Sequence, residues 1–255
     1  MTASVPFDLP ADALVGRVAV VTGASRGLGA GLAARFGQWG LSLGLCARSV
    51  PDPPDGARAV CRSLDVADAA AVEAFTEVVT AELGPIDIWV NNAGVLAPMG
   101  PQRSHDPTEV DRALGVNVGG VANGTRSFTR AVRTRGDGGR CVLVNVTSGA
   151  ARTVYEGWSL YGACKAAVDH FTEIVAAEEP GIACYALAPG QVDTDMQALI
   201  RTHDQATFPA VDRFRTIHAQ GAWTSPTWVA DHILGLLADT FRPGGVVVRV
   251  PDEPR

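Results

Sequence analysis

Hydrophobic residues fall in seven short runs along the chain, and the stretches between them carry apolar residues three or four positions apart. The runs lie at 17–22, 41–47, 57–64, 86–90, 140–147, 182–188 and 245–250. Continuous apolar runs of this length are typical of strands that are buried on both faces of a parallel sheet. The stretches between them, such as 72–83 and 166–179, have the spacing of amphipathic helices. The pattern predicts an α/β protein with a doubly wound, seven-stranded parallel sheet.

The chain is expected to form one domain, because no Pro/Gly-rich or charged stretch among its 255 residues is long enough to separate two. Residues 1–15 carry acids and prolines, so we expect an N-terminal tail followed by a Rossmann-type domain over residues 16–255. Residues 190–225 follow the sixth predicted strand, on the side where open α/β sheets bind ligands. We expect this polar, helical segment to form a lid over a substrate.

Composition and charge exclude several classes of protein. The net charge is −6 and the arginines are scattered, so a nucleic-acid partner is not expected. The first residues lack the features of a signal peptide, and no apolar run approaches the roughly 18 residues of a membrane span. These features predict a soluble, cytoplasmic protein without a membrane partner. The five cysteines form no CxxC pair and the five histidines no HExxH spacing, so we expect reduced thiols and no metal site.

The first predicted strand is followed directly by TGASRGLG (22–29), in which Gly23, Gly27 and Gly29 open a helix. Glycine allows positive φ and a close approach of backbone N–H groups to a pyrophosphate, and the helix N-terminus attracts the negative charge. A glycine-rich turn between a strand and a helix predicts binding of a dinucleotide. The alternative is an ordinary tight turn, which does not need to lie between a strand and a helix.

The acidic residue that usually binds the ribose of NAD, about 20 residues further on, is missing. No Asp or Glu occurs between Ala13 and Pro51, and this window holds Arg26 inside the glycine turn and Arg48 just past the second predicted strand. Arginine binds phosphate through forked, charge-assisted hydrogen bonds, so we expect NADPH rather than NADH. The alternative is that both arginines are solvated surface charges. The missing acid also disfavours a methyltransferase that binds S-adenosylmethionine.

Lys165 is the only lysine among 21 basic residues and follows Tyr161 by four positions. On a helix that begins near Trp158, these two side chains share one face. An ammonium about 5 Å away, at an effective dielectric of about 20, lowers the pKa of a phenol by on the order of two units. The pair is therefore predicted to transfer protons near neutral pH. Ser148 ends the fifth predicted strand, where its hydroxyl can donate to a substrate carbonyl.

Several motifs together resemble the short-chain dehydrogenases/reductases, in the order and spacing of that family. They are TGASRGLG (22–29), Asp65, NNAG (91–94), Asn117, Ser148, YGACK (161–165) and PG (189–190). The resemblance implies a catalytic group that consists of Asn117, Ser148, Tyr161 and Lys165. The residues expected to contact the dinucleotide are Gly23, Ser25, Arg26, Gly27, Leu28, Gly29, Arg48, Asp65, Val66, Asn91, Ala93, Gly94, Tyr161, Lys165, Pro189, Gly190, Val192 and Thr194. The substrate is expected to contact Ser148, Trp158, Tyr161, Gln191 and Met196.

Three longer segments, 157–171, 175–197 and 235–245, are similar to the sepiapterin reductase branch, which includes bacterial benzil reductases. Members that reduce pterins carry an aspartate in the last strand, whereas this chain places Val248 there and has Arg249 beside it. A pterin ring would therefore lack its charged partner. We expect instead a ketone or vicinal diketone with an aromatic or apolar flank.

These observations predict an NADPH-dependent carbonyl reductase in which Ser148 and Tyr161 hold the carbonyl and Tyr161 gives the proton. Two alternatives remain open: a non-catalytic NADP(H)-sensing protein, and a biosynthetic ketoreductase that acts on a tethered acyl chain. The ketoreductase would need a basic patch near the lid, for which the candidates are Arg201, Arg213 and Arg215. By resemblance alone, we expect a homodimer or homotetramer that associates through helices around 108–135 and 159–179.

Overall fold

Seven parallel strands form one sheet in the order β3-β2-β1-β4-β5-β6-β7 in the computed structural model, which describes residues 5–135 and 139–254. The strands are β1 (Val18–Thr22), β2 (Ser42–Ala47), β3 (Ala59–Ser63), β4 (Ile88–Asn91), β5 (Cys141–Val146), β6 (Ile182–Ala188) and β7 (Val247–Arg249). The predicted sheet is therefore confirmed. The order reverses between β1 and β4, and in folds of this kind the ligand crevice opens at that point, beyond the carboxyl ends of the strands.

Helices cover both faces of the sheet. They are α1 (Gly27–Gln38), α2 (Ala69–Leu83), α3 (Pro107–Leu114), α4 (Gly120–Arg135), α5 (Ser159–Glu178), α6 (Asp195–Thr202), α7 (Val211–Ala219) and α8 (Pro226–Leu237). Helices α1 and α8 pack on one face, and α2, α4 and α5 pack on the other. Each face buries its own apolar cluster, which explains why β1, β2, β4 and β5 are buried along their whole length.

Helix starts are fixed by side chains that accept hydrogen bonds from the first free backbone N–H groups. The Asp68 carboxylate accepts from the N–H groups of Ala70 and Ala71 at the start of α2. Asp106 and Ser225 cap α3 and α8 in the same way. The sequence thus sets the entry points of three helices by short polar residues placed before apolar runs.

The segment expected as a tail packs against the domain, which corrects that expectation for the residues the structure describes. The ring of Phe7 stacks on Phe241 at 5.5 Å between centroids and meets His232 edge-on at 5.2 Å. Leu14 is fully buried in the cluster under α1 and α8. Burial of two large apolar side chains outweighs the polar character of their neighbours. Residues 1–4 lie outside the described residues.

Within the described ranges, none of the helices combines the length and the apolar character that crossing a membrane requires.

Candidate active site

The loops that follow β1, β4, β5 and β6 meet at the carboxyl edge of the sheet, because all seven strands run in the same direction. They carry the glycine turn, the NNAG segment, Ser148 and Pro189–Gly190. These four segments, each of which is part of a motif found in the sequence, therefore lie at one edge of the sheet.

The glycine turn packs so tightly that side chains would not fit. Gly23 and Gly27 have φ of +66° and +57°, which glycine adopts without strain. A Cβ atom at Gly23 would lie 2.8 Å from Cα of Ala93. One at Gly29 would collide with the carbonyl oxygen of Gly23 and lie 2.6 Å from Nδ2 of Asn92. The turn therefore exposes its backbone at close range, as a pyrophosphate requires.

The N-terminus of α1 differs from those of α2, α3 and α8. Its N-cap residue is Arg26, whose side chain makes no capping hydrogen bond within the described part of the chain. Free N–H groups and the positive end of the helix dipole are thus directed at the crevice. Together with the glycine turn, they fit the pyrophosphate of a dinucleotide.

Both arginines that were expected at a 2′-phosphate are exposed at the mouth of this site. Arg26 forms an ion pair with Asp195 at the start of α6, with 2.9 Å between Nη1 and Oδ2. Arg48 follows β2, and its carbonyl oxygen accepts a hydrogen bond from Oγ of Ser63. Asp65 follows β3 and accepts from the N–H of Ala67. These residues surround the expected adenosine end of the crevice.

The side chain of Asn91 does not line the crevice, which corrects the expectation for that residue. It is buried under the sheet, where it accepts from Nε1 of Trp89 at 2.7 Å and donates to Oδ1 of Asn145 at 2.8 Å. Its neighbour Asn92 holds the glycine turn instead, donating through Nδ2 to the carbonyl oxygen of Thr22 at 2.9 Å. Successive residues of a strand point to opposite faces, so one of two adjacent asparagines had to face the interior.

Asn92 lies within NNAG, the segment that the family resemblance places along the cofactor, whereas the sequence assigned no role to Thr22. The Thr22 hydroxyl accepts hydrogen bonds from the N–H groups of Asn92 and Ala93, both at 3.0 Å. The two residues join the glycine turn after β1 to the segment after β4. Both residues lie within motifs of the sequence, since Thr22 begins TGASRGLG and Asn92 lies inside NNAG.

The four residues expected to form the catalytic group lie together. Ser148 lies near enough to Tyr161 to act on the pKa of its phenol, and Nζ of Lys165 lies 5.8 Å from the centre of the Tyr161 ring. Nζ also donates to the carbonyl oxygen of Val146 at 2.7 Å. A Cβ atom at Gly94 would lie 3.1 Å from Oδ1 of Asn117 and 3.8 Å from Nζ of Lys165.

Asn117 sits in a π-helical turn, Gly115–Gly119, between α3 and α4. Both polar atoms of its side chain bind the backbone of Val95, with Oδ1 accepting at 2.9 Å and Nδ2 donating at 2.8 Å. This pair of bonds fixes the loop after β4 against the helix. Irregular turns of this kind are frequent at functional sites.

Burial controls the protonation of the catalytic pair. It raises the pKa of the Tyr161 phenol above its usual value, while the hydrogen bond with Ser148 acts in the opposite direction. Burial also lowers the pKa of Lys165 to about 8, although Cys164 and Asp169 raise it. The expected lowering of the Tyr161 pKa by its lysine neighbour is therefore wrong for this structure, because loss of solvation dominates. Tyr161 remains a protonated phenol near neutral pH and can act as an acid.

An aromatic cluster covers the catalytic group on the lid side. Trp158 stacks on Phe208 at 4.5 Å between centroids and meets Tyr161 edge-on at 5.6 Å. Met196 of α6 and Met99 pack against the same cluster. The segment that was expected as a lid contains α6, α7 and the loops around them, and its residues Phe208 and Phe214 belong to the same apolar cluster as Tyr161.

The remaining candidates lie at the base of this lid. Gly190 has φ of +83°, and Gln191 accepts a hydrogen bond from Nε2 of Gln197 at 2.9 Å. Val192 is buried in the cluster under α1 and α8. Thr194 touches the glycine turn, since a Cβ atom at Gly27 would lie 3.2 Å from its methyl carbon. The base of the lid is therefore anchored beside the turn that would hold the pyrophosphate.

Comparison with known proteins agrees with this geometry. Residues 17–205 match the family described as short chain dehydrogenase. The chain is 30% identical to the benzil reductase ((S)-benzoin forming) of Bacillus cereus over 251 residues, 92% of this chain and 100% of that one. It is 32% identical to the sepiapterin reductase of Meriones unguiculatus over 251 residues, 90% of this chain and 95% of that one.

A longer relative is the "Probable oxidoreductase EphD" of Mycobacterium tuberculosis, 36% identical over 197 residues that cover 73% of this chain. The match covers 33% of EphD, so the chain spans about a third of that protein's length.

Among solved structures, KRED1-Pglu has a TM-score of 0.81 at 32% identity and covers 91% of this chain and 100% of its own. A short chain dehydrogenase from Burkholderia cenocepacia in complex with NADP has a TM-score of 0.77 at 28% identity, covering 94% and 98%. One from Burkholderia phymatum in complex with NAD has a TM-score of 0.77 at 26% identity, covering 93% and 89%. The chain therefore belongs to the short-chain dehydrogenase/reductase family of oxidoreductases, in the branch that contains benzil reductases and sepiapterin reductase.

Proposed function

We propose that this oxidoreductase is an NADPH-dependent carbonyl reductase for ketones or vicinal diketones with an aromatic or apolar flank. The observation that carries the proposal is the grouping of Tyr161 with Lys165 and Ser148 beside an aromatic cluster. A bound nicotinamide cofactor supplies the hydride.

The chain's own residues bind the carbonyl and move the proton. The hydroxyls of Ser148 and Tyr161 donate to the carbonyl oxygen and stabilise the negative charge that develops on it. Tyr161 gives up its proton to the carbonyl oxygen as negative charge develops there. Lys165, held by the carbonyl oxygen of Val146, stabilises the resulting phenolate and returns a proton to it. Asn117 keeps the loop after β4 in place beside this lysine.

The choice of NADPH is supported by charge. Arg26 lies in the turn between β1 and α1, Arg48 follows β2, and no acid occurs between Ala13 and Pro51. A carboxylate at the end of β2 would repel a 2′-phosphate, whereas two arginines attract it. A solved relative binds NADP and another binds NAD, so measured affinities for both cofactors are the test. Equal or tighter binding of NADH would overturn this part of the proposal.

The substrate class is supported by the apolar wall formed by Trp158, Phe208 and Met196. The last strand places buried Val248 where pterin-reducing relatives have an acid, and Arg249 is paired with Asp252 at 2.8 Å. An apolar wall without a carboxylate favours an aryl ketone or diketone over a pterin.

A ketoreductase for tethered acyl chains is less well supported, because the arginines near the lid have other partners. Arg213 donates to the hydroxyl of Tyr155 at 3.0 Å, and Arg215 pairs with Asp212 at 2.9 Å. Arg201 is 17% exposed and lies over the ring of Trp223. These contacts leave little free positive charge for an acidic carrier protein.

For the assembly, we propose a homodimer through α4 and α5. Support comes from two large apolar side chains exposed on and beside that face, Leu114 at 42% and Ile174 at 45%.

A substrate panel tests the proposed function. NADPH oxidation is measured with benzil, aryl ketones, a quinone, sepiapterin and an acyl thioester, under equal conditions. We expect the highest kcat/KM with an aromatic diketone, at least about tenfold above sepiapterin, because one lost charged hydrogen bond costs about 1.5–3 kcal/mol. Tight binding of NADPH without turnover of any carbonyl would support a sensing protein instead.

A further inference from the structure

The carboxylate of Asp169 is a buried charged group that the proposed mechanism does not use. Asp169 follows Lys165 by one turn of α5 and is 7% exposed. Its Oδ1 atom is buried without a hydrogen-bond partner among the described residues. Carboxylates are almost never buried unless they are paired, so this position calls for an explanation.

Contacts of Asp169 reach both sides of the Ser148 turn. Before that turn, the Thr147 side chain acts to lower the pKa of the Asp169 carboxyl, against the larger effect of burial, which raises it. After it, Nε of Arg152 lies 3.7 Å from Oδ2, although the arginine side chain is 72% exposed. Thr147 also donates to the backbone carbonyl oxygen of Lys165 at 3.3 Å. Asp169 therefore lies where the Ser148 turn packs against α5, the helix that carries Tyr161 and Lys165.

The Lys165 ammonium needs a negative charge nearby. It is 5% exposed, and among the described residues its Nζ donates to the neutral carbonyl oxygen of Val146. Residues four apart on a helix are neighbours, and their attraction is strong where water is excluded. The other titratable or charged groups that act on this pair are Tyr161, Cys164 and Glu173 on α5 and Arg152 on the turn after β5. Among them, Asp169 is the buried carboxylate nearest in sequence to Lys165.

We propose that Asp169 is a positioning residue that supplies the buried counter-charge of Lys165 and ties the Ser148 turn to α5. Burial raises the pKa of the Asp169 carboxyl, whereas Arg152 and Lys165 act to lower it; Asp169 in turn acts to raise the pKa of Lys165 against the larger lowering by burial. For its effect on turnover, the inference rests on the proposed carbonyl reduction. The charge relation between the two side chains does not depend on any substrate.

The chain offers a direct measurement, because Lys165 is its only lysine. Protein labelled with ¹³C at lysine Cε gives a single lysine signal, and its chemical shift against pH gives the titration midpoint of Lys165. Labelled samples are prepared for the parent protein and for Asp169→Asn, Asp169→Ser, Asp169→Glu and Glu173→Gln. Cofactor binding and thermal unfolding check that each of them is folded.

We expect both neutral variants at Asp169 to lower the midpoint of Lys165 by on the order of one pH unit, since a charge one turn away in a buried site is lost. Asp169→Glu keeps the charge and should stay near the parent. Glu173→Gln removes an exposed carboxylate two turns from Lys165 and should leave the midpoint unchanged, because solvent and salt screen it.

Turnover supplies the second readout. The alkaline limb of kcat/KM should move to lower pH in Asp169→Asn by the same amount as the NMR midpoint. The proposal would be overturned if the Lys165 midpoint were unchanged in a folded neutral variant. It would also be overturned if Asp169→Glu shifted the midpoint as much as Asp169→Asn does. If one neutral variant does not fold, the other carries the test. If no carbonyl is reduced at all, the proposed function fails while the lysine signal still decides the role of Asp169.

Discussion

Nζ of Lys165 lies 5.8 Å from the centre of the Tyr161 ring, one helical turn further along α5. At this distance the ammonium is close enough to stabilise a phenolate once it forms. Before that, burial holds the phenol in its neutral form. The arrangement therefore suits a residue that starts as an acid and needs charge stabilisation only during the reaction.

Replacing Tyr161 by Phe removes the proton donor and keeps the ring against Trp158. We expect kcat for ketone reduction to fall at least about 100-fold, which is the usual range for loss of a general acid, with little change in cofactor affinity. The control is Tyr185→Phe, which removes a tyrosine hydroxyl from β6 instead. Steady-state kinetics and cofactor titration make the measurement. Activity of Tyr161→Phe within tenfold of the parent would contradict the mechanism.

The low pKa of Lys165 affects stability as well as catalysis. In the folded chain it lies near 8, against 10.5 for the free side chain, so unfolding takes up a proton between these two pH values. The free energy of unfolding therefore rises with pH across that window. Relative to Lys165→Met, the parent should gain up to about 3 kcal/mol between pH 8 and pH 10.5.

Denaturant titrations of the parent and of Lys165→Met at several pH values measure this difference. The comparison cancels contributions from other groups, such as Cys46, whose pKa burial raises to about 12 in both proteins. A difference that is constant with pH would mean that Lys165 titrates normally in the folded chain.

The two arginines at the mouth of the site should select the phosphorylated cofactor. In the double variant Arg26→Gln/Arg48→Gln, we expect NADPH to bind about 10- to 100-fold more weakly, since a hydrogen bond to a charged group contributes about 1.5–3 kcal/mol. The affinity for NADH should change little. Arg126→Gln/Arg130→Gln is the matched control, because it removes two positive charges that pair with Glu73 on another face. A parallel loss of both cofactors would argue against a 2′-phosphate site.

The closeness of the glycine turn to Asn92 predicts a steric effect at Gly29. In Gly29→Ala, the new methyl group would collide with the carbonyl oxygen of Gly23 and approach Nδ2 of Asn92. We expect a loss of about 1–3 kcal/mol in unfolding free energy and weak binding of either cofactor. Gly181→Ala, which would have no heavy atom within 4 Å of its Cβ, should change neither property. Calorimetry and cofactor fluorescence measure both effects.

The sheet could be predicted from the sequence because strands buried on both faces are continuous apolar runs; six of the seven strands lie inside the predicted runs, and β4 extends one residue past its run. The catalytic group could be predicted from the family's motifs and their spacing. The packing of Phe7 and Leu14 could not, since a few apolar residues among acids and prolines give no periodic signal.

The errors within the site also have physical reasons. Two adjacent asparagines, Asn91 and Asn92, give no indication of which one faces the interior until the orientation of β4 is known. The protonation of Tyr161 depends on how completely helix, turn and lid exclude water, which a pair of residues in a sequence does not reveal. A distance argument alone therefore overestimated the influence of Lys165.

The location of Lys165 also affects how the protein can be handled. All other basic side chains are arginine or histidine, and Lys165 is 5% exposed. Succinimidyl esters and aldehydes, which react with lysine amines, therefore find no lysine on the outside of the fold. Coupling to a sensor chip or crosslinking of an assembly through side chains needs carboxylates or an introduced cysteine. Any slow acylation of Lys165 would instead report how often the catalytic group opens to solvent.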